Sequence, residues 1–185
     1  MSGIPMSPEL QLVADSSQAA NAKLRFYRLA FGRGGQNVDL GPSAIQAALQ
    51  GASHSPKRMD WPVTGPVSRD RVQAVFLLML CADTVLRKGG RIQAELTDTG
   101  CRVLAYGPIQ DGHQSVLSAL ETGAAWPRDL DPARVHFPLA RLAVHDLGER
   151  ITVSPLAEGL ALESLPVSTD TKISPEQPHL HPQGI

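Results

Sequence analysis

Apolar residues recur at helical spacing near the start of the chain. Leu10, Val13, Ala20, Leu24, Tyr27 and Phe31 follow one another at intervals of three, four and seven. Ala14, Ala22, Phe26 and Leu29 widen that stripe. Ser7-Pro8-Glu9 supplies a serine N-cap, a proline at the first helical position and an acid in the first turn. Gly32 and Gly34-Gly35 supply the stop. The pattern predicts a helix over residues 7–31, about 25 residues and roughly 37 Å long. A helix that long and that apolar needs a partner helix, and the sequence offers no second long helix beside it.

Further along, residues 42–50 read as a short amphipathic helix with Pro42 near its start. Residues 59–64 read as a short strand, which Pro62 places at a sheet edge. Ser68-Arg69-Asp70 opens a second major helix over residues 68–86, closed by Gly89-Gly90. Val72, Val75, Phe76, Leu78, Met79, Leu80 and Ala82 make it apolar on most sides, the mark of a buried helix. Residues 91–96 and 102–106 alternate around Thr97-Asp98-Thr99-Gly100, a hairpin. A short helix is predicted over residues 113–121, and another, capped by Asp131-Pro132, runs to Leu147 before Gly148. Residues 149–153 and 160–165 form a second hairpin around Ala157-Glu158-Gly159. Residues 166–185 carry Pro166, Pro175, Pro178 and Pro182 with few large apolar side chains and read as a disordered tail. Two hairpins with helices between them predict an α+β fold. A long N-terminal helix precedes a two-layer α/β sandwich with helices on one face of a mixed or antiparallel sheet.

Composition narrows the functional classes. The chain has 185 residues, 42% hydrophobic and 19% charged, enough apolar matter for a packed core, and only 4% aromatic, so that core is aliphatic. A formal net charge of −1 argues against a nucleic-acid-binding surface. The longest apolar run, residues 72–86, is interrupted by Gln73 and Asp83, so no membrane span is predicted. The first dozen residues lack a basic segment followed by an apolar one, so no secretory signal is read there and a cytoplasmic protein is expected. Cys81 and Cys101 sit in apolar stretches outside any C-x-x-C pair and read as reduced core thiols.

Two stretches carry a family resemblance. SPELQLVADSSQAANAKLRFYRLAFG ends in Arg28-Leu29-Ala30-Phe31-Gly32, and residues 68–153 contain QAVFLLMLCADTVLRKGGRI and FPLARLAVHDLGERITV. Together they resemble the ChpT-type histidine phosphotransferases of alphaproteobacteria. The resemblance implies a degenerate histidine-kinase core. In it a helical hairpin dimerises into a four-helix bundle, with the phosphoacceptor histidine of an His-Asp pair on its first helix. The sandwich behind is built like a kinase ATP-binding domain. The implied role is to ferry phosphoryl groups between the receiver domain of a hybrid histidine kinase and those of response regulators, without using ATP or another cofactor. The alternative is a non-catalytic scaffold or homodimeric interaction module. The implied parts are a hairpin remnant over residues 1–35, a degenerate sandwich over 36–165 and the tail over 166–185. The family's histidine-bearing helix is expected before Ser7, where Met1-Ser2-Gly3-Ile4-Pro5-Met6 reads as the hairpin loop.

Candidate residues follow. His145-Asp146-Leu147 copies the phosphoacceptor motif, yet it falls at the end of a helix just before Gly148, where a histidine is a favourable charge for the dipole. No catalytic residue is therefore assigned. His54, His113 and His136 lack metal-ligand spacing, and His179-x-His181 in the tail is a weak pair. Leu77 and Cys81 stand where a kinase would carry asparagines. Asp111-Gly112-His113 lacks the second glycine of a nucleotide loop, and Gly32-Arg33-Gly34-Gly35 follows a helix, as a hinge would. Arg25, Arg28 and Arg33 cluster at the end of the first helix. They read either as docking residues for an acidic receiver domain or as a solvated face favoured by the dipole. Phe26 reads either as an apolar anchor for a partner's helix or as a residue buried in the hairpin.

Overall fold

The computed structural model describes residues 7–32, 38–52, 57–87 and 89–167. The predicted tail beyond Val167, the Arg33-Gly34-Gly35 hinge, His54, His179 and His181 lie outside the described residues.

The first helix, α1, spans Pro8–Phe31, with Ser7 as N-cap accepting from the Leu10 amide. After it come β1 (Asp39–Leu40), α2 (Pro42–Ala52), β2 (Lys57–Asp60), β3 (Val67–Ser68) and α3 (Arg69–Val85). The chain continues through β4 (Gly90–Leu96), β5 (Cys101–Tyr106), α4 (Gln114–Thr122), a 3₁₀ turn at Pro132–Arg134, α5 (His136–Asp146), β6 (Glu149–Leu156) and β7 (Gly159–Pro166). β1 and β3 form a small antiparallel pair, and the main sheet has the order β2-β4-β5-β7-β6. Only β2 is parallel to its neighbour, because α3 carries the chain across from β2 to β4.

Register explains why the sheet has one wet face. Ile92 pairs with Ala105 and that with Leu160, while Ala94 pairs with Val103 and that with Leu162, and all six are buried. One residue out of phase, Glu95, Arg102 and Glu163 are cross-strand neighbours on the opposite face, with Arg102 bonded to both acids. The helices therefore pack on the aliphatic face alone, as an α+β two-layer sandwich requires.

α3 is buried on most sides because it lies between α1, α5 and the sheet. Its Ser68 N-cap accepts from the Arg71 amide. Arg71 then reaches the sheet and clamps Glu149 at the start of β6 through two bonds of 2.6 and 2.5 Å. Ser164, fully buried, accepts from the Cys101 amide beside this pair. Both cysteines are buried and unpaired.

Three expectations need adjustment. The strand expected over residues 59–64 is β2, which ends at Asp60, because the Val63 amide folds back onto the Trp61 carbonyl and turns the chain away. It keeps the edge position. The helix after Asp131 is broken into the 3₁₀ turn and α5. Pro166, expected in the tail, ends β7 opposite Glu149. No described helix is long and apolar enough to cross a membrane.

Candidate docking surface

α1 leans on the sandwich through its second half only. Every residue from position 8 to 21 is exposed, whereas Phe26 and Ala30 are buried in the same core cluster as the sandwich residues. The approach to α2 is close because small residues meet there: a Cβ on Gly51 would lie 2.0 Å from the Ala22 carbonyl carbon. Phe26 then stacks on Phe76 of α3 at 4.6 Å between ring centroids, with Trp61 edge-on to Phe76 at 6.2 Å. Phe26 is 1% exposed, so it offers no anchor to a partner, and its cover comes from the sandwich and not from a second hairpin helix.

Burial of Phe26 and Ala30 fixes the rotation of α1. Other sides of the helix carry Leu10, Val13, Leu24, Tyr27 and Phe31, exposed by 58, 62, 59, 40 and 40%. Tyr27 and Phe31 lie side by side with centroids 5.9 Å apart. Most of the helical stripe read from the sequence is thus left exposed, with polar Ser17 interrupting it between Val13 and Ala20 and Phe31 lining a cleft with Leu139 and Leu142.

Arg25 and Arg28 flank this stripe on the side of α2, and both are exposed. They rim a groove of about 360 Å³ whose floor is Leu29, Leu40, Ala44 and Ala48. No ion pair with a described residue occupies either guanidinium. Arg33, the third member of the expected cluster, is outside the described residues.

Two residues that the sequence reading passed over hold the end of α1. Gly32 leaves the helix in extended backbone, φ −72° and ψ 144°, so no left-handed cap takes up the last carbonyls. Side chains of α3 do so instead. Arg69 Nη2 donates to the carbonyls of Arg28 at 2.9 Å and Gly32 at 3.2 Å, and Gln73 Nε2 donates to those of Ala30 at 3.1 Å and Gly32 at 3.2 Å. One signal was available: an arginine in the first turn of α3 opposes that helix's own dipole, and so asks for a partner elsewhere.

The histidines divide by burial. His113 and His136 are 4 and 6% exposed. His136 Nε2 meets Thr84 Oγ1 at 2.9 Å, and burial pushes its pKa down to about 4. His145, in the last turn of α5, is 78% exposed, with Nδ1 3.9 Å from Asp146 Oδ1. The positions where a kinase would hold nucleotide are packed: Leu77 and Cys81 are in the core, Cys81 Sγ bonds the His136 carbonyl at 3.8 Å, and Phe137 is fully buried. Asp111 projects into solvent and pairs with Arg87 at 3.5 Å. Among the described residues no group of histidine, cysteine or acidic side chains could hold a metal ion.

Residues 42–159 match the family of the histidine phosphotransferase C-terminal domain. Among solved structures, a bacterial phosphotransferase superposes with a TM-score of 0.66 at 20% identity, over 83% of this chain and 77% of that one. A histidine kinase domain from the blue-light activated kinase EL346 of Erythrobacter litoralis gives 0.43 at 15% identity, over 84% of this chain and 81% of that one. The cytoplasmic segment of the histidine kinase QseC gives 0.42 at 12% identity, over 91% of this chain and all of that one (100%). No curated protein matches.

Proposed function

Because this chain belongs to the histidine phosphotransferase C-terminal domain family, we propose that it acts in a phosphorelay by docking receiver domains, those of response regulators and of a hybrid histidine kinase. The observation that carries this reading is the groove beside α1, with Arg25 and Arg28 above an aliphatic floor. A receiver domain presents acidic residues around its phosphorylation site, and two guanidinium groups with no ion pair among the described residues, beside an apolar groove, suit that chemistry. Charge would speed encounter and set orientation, while the aliphatic floor would supply the area that holds the complex.

In this reading the chain docks but does not itself accept phosphate. A phosphoacceptor imidazole must be exposed and oriented by a carboxylate. His113 and His136 are buried, and His145 caps the end of α5, 3.9 Å from a solvent-exposed Asp146. The second reading, a homodimeric interaction module of the cytoplasm, draws on the uncovered seam of α1.

The test is incubation with a phosphorylated receiver domain beside a binding measurement. Expected is saturable binding that Arg25→Glu with Arg28→Glu abolishes and that weakens at high salt, with no phosphate retained on the chain. An acid-labile, base-stable phosphoryl group lost in His145→Ala would overturn the non-acceptor reading. Binding indifferent to the charge reversal would overturn the assignment of the surface.

A further inference from the structure

We propose that Arg69 and Gln73 are positioning residues that lock α1 to the sandwich at a fixed angle, so that the sandwich serves as the orienting body for the docking helix. The proposal rests on the docking reading for its purpose, and on the geometry of the joint for its mechanism.

The joint is small and the lever is long. The buried and half-buried residues of α1 and its cap all fall between Ala22 and Gly32, while residues 8 to 21 are exposed. At ~1.5 Å per residue, the free half reaches roughly 20 Å beyond the joint, so a ~10° tilt would displace its tip by about 4 Å. Apolar packing resists separation but is tolerant of rotation, because it is non-directional. Hydrogen bonds to carbonyls set direction. Here four of them converge on the last turn of α1 from one turn of α3. The Gly32 carbonyl is shared by both side chains, and the Arg28 carbonyl also receives the Gly32 amide at 3.1 Å. A guanidinium at a helix C-terminus is favoured by the dipole as well as by the bonds themselves.

The arrangement is costly, which argues that it is kept for orientation. Arg69 is 8% exposed, and its Nη1 finds no hydrogen-bond partner among the described residues. An aliphatic side chain would fill the same place without burying an unsatisfied donor, if cohesion were all that the joint needed. Gly32 fits the same account. A Cβ there would come within 2.3 Å of the Arg28 carbonyl oxygen and 3.6 Å of Arg69 Nη2, so any other residue would push the cap apart. The lock also sits at the foot of the docking surface, since Arg28 carries both a capped carbonyl and a guanidinium on the groove rim.

The experiment measures angle and binding separately. Spin labels at Gln18→Cys on α1 and Ser154→Cys on β6 report the distance between helix and sheet by pulsed electron resonance. The labelled full chain is diluted with unlabelled chain, and the native thiols are protected by burial. Wild-type protein gives a narrow distribution. Arg69→Met and Gln73→Met, each replacing donors with an aliphatic stem, broaden it by several Å while the protein stays folded, and Arg69→Lys, which keeps a cationic donor, restores part of the narrow peak. Affinity for a purified receiver domain falls in step with the broadening. A distribution unchanged in both methionine variants overturns the proposal whatever the binding shows. Broadening without any receiver binding by the wild type leaves the lock standing and removes the docking reading instead.

Discussion

His136 shows how one side chain ties a helix start to the pH of the solution. It opens α5, lies 6% exposed and meets Thr84 Oγ1 at 2.9 Å, so its ring is held neutral between two helices. Burial is the main cause of its lowered pKa, and the charge of Asp83 and a bond with Ala133 oppose it without prevailing, leaving about 4. In the unfolded chain the same ring titrates near the ordinary value of about 6.5. Between those values the unfolded state binds a proton that the folded state refuses, so stability is full above about pH 6.5 and declines as the pH falls towards 4. His113, whose pKa burial and Arg134 also lower, acts in the same sense. Chemical denaturation across pH 4–7 should show this slope, and His136→Gln, which keeps a polar group toward Thr84, should flatten it. An unaltered slope would place the titrating group elsewhere. Neither histidine announced this role in the sequence, where both stand near helix starts without a partner; only the packing of α5 on α3 buries them. Arg69 was equally silent, and Phe26 could be read as buried but not as covered by α3. Each is set by a residue of another element, Phe76 in one case and the carbonyls of Arg28 and Gly32 in the other.

At the scale of elements, local signals and crossing geometry divide the work. Helix starts were legible because their signals are local: Ser7 and Ser68 accept from the Leu10 and Arg71 amides, and Asp131 accepts from the Ala133 amide at 2.8 Å. The two hairpins were legible through alternation and turn residues. The end of β2 was not, because the Trp61 turn that ends it is held by Gln46 Nε2 from α2, 2.6 Å from the Trp61 carbonyl. The crossing of α1 and α2 is a further feature of this kind. It depends on Gly51, which local propensity marks only as a weak point in a helix. Since a Cβ there would lie 2.0 Å from the Ala22 carbonyl carbon and 2.3 Å from its oxygen, Gly51→Val should drive α1 outward at a cost of about 1–3 kcal/mol. The core between α3, α5 and the sheet does not include that contact. Hydrogen exchange should therefore quicken in residues 22–32 while α3 and β5 keep their protection. Loss of protection throughout would mean that α1 is an integral layer of the sandwich and not an arm attached to it.

The whole molecule has a satisfied body and an unsatisfied arm. The sandwich buries its aliphatic face and turns charged ladders outward, whereas α1 leaves Leu10, Val13, Leu24, Tyr27 and Phe31 exposed. Left in water, each fully exposed large side chain of that stripe would forgo about 1.5–3 kcal/mol of burial, and a row of exposed apolar side chains of this kind marks an interface. With Ser17 and Ala20 between Val13 and Leu24, the positions alternate at intervals of three and four, the spacing that two helices need to interlock side by side. A net charge of −1 leaves little self-repulsion to keep copies apart. The arm should therefore pair with another copy of itself, most simply about a two-fold axis. Light scattering on the full chain should show a mass that rises with concentration. Leu24→Glu, which puts a carboxylate into the middle of the seam twice per pair, should raise the dissociation constant by on the order of ten- to a hundredfold without altering the fold of the sandwich. Arg28 follows Leu24 by one turn, so the groove it rims with Arg25 adjoins the seam. A chain that stays monomeric at high concentration, with residues 8 to 21 slow to exchange, would mean that the sandwich or another part of the same chain covers the seam, and the reading of α1 as half of a helical pair would fall.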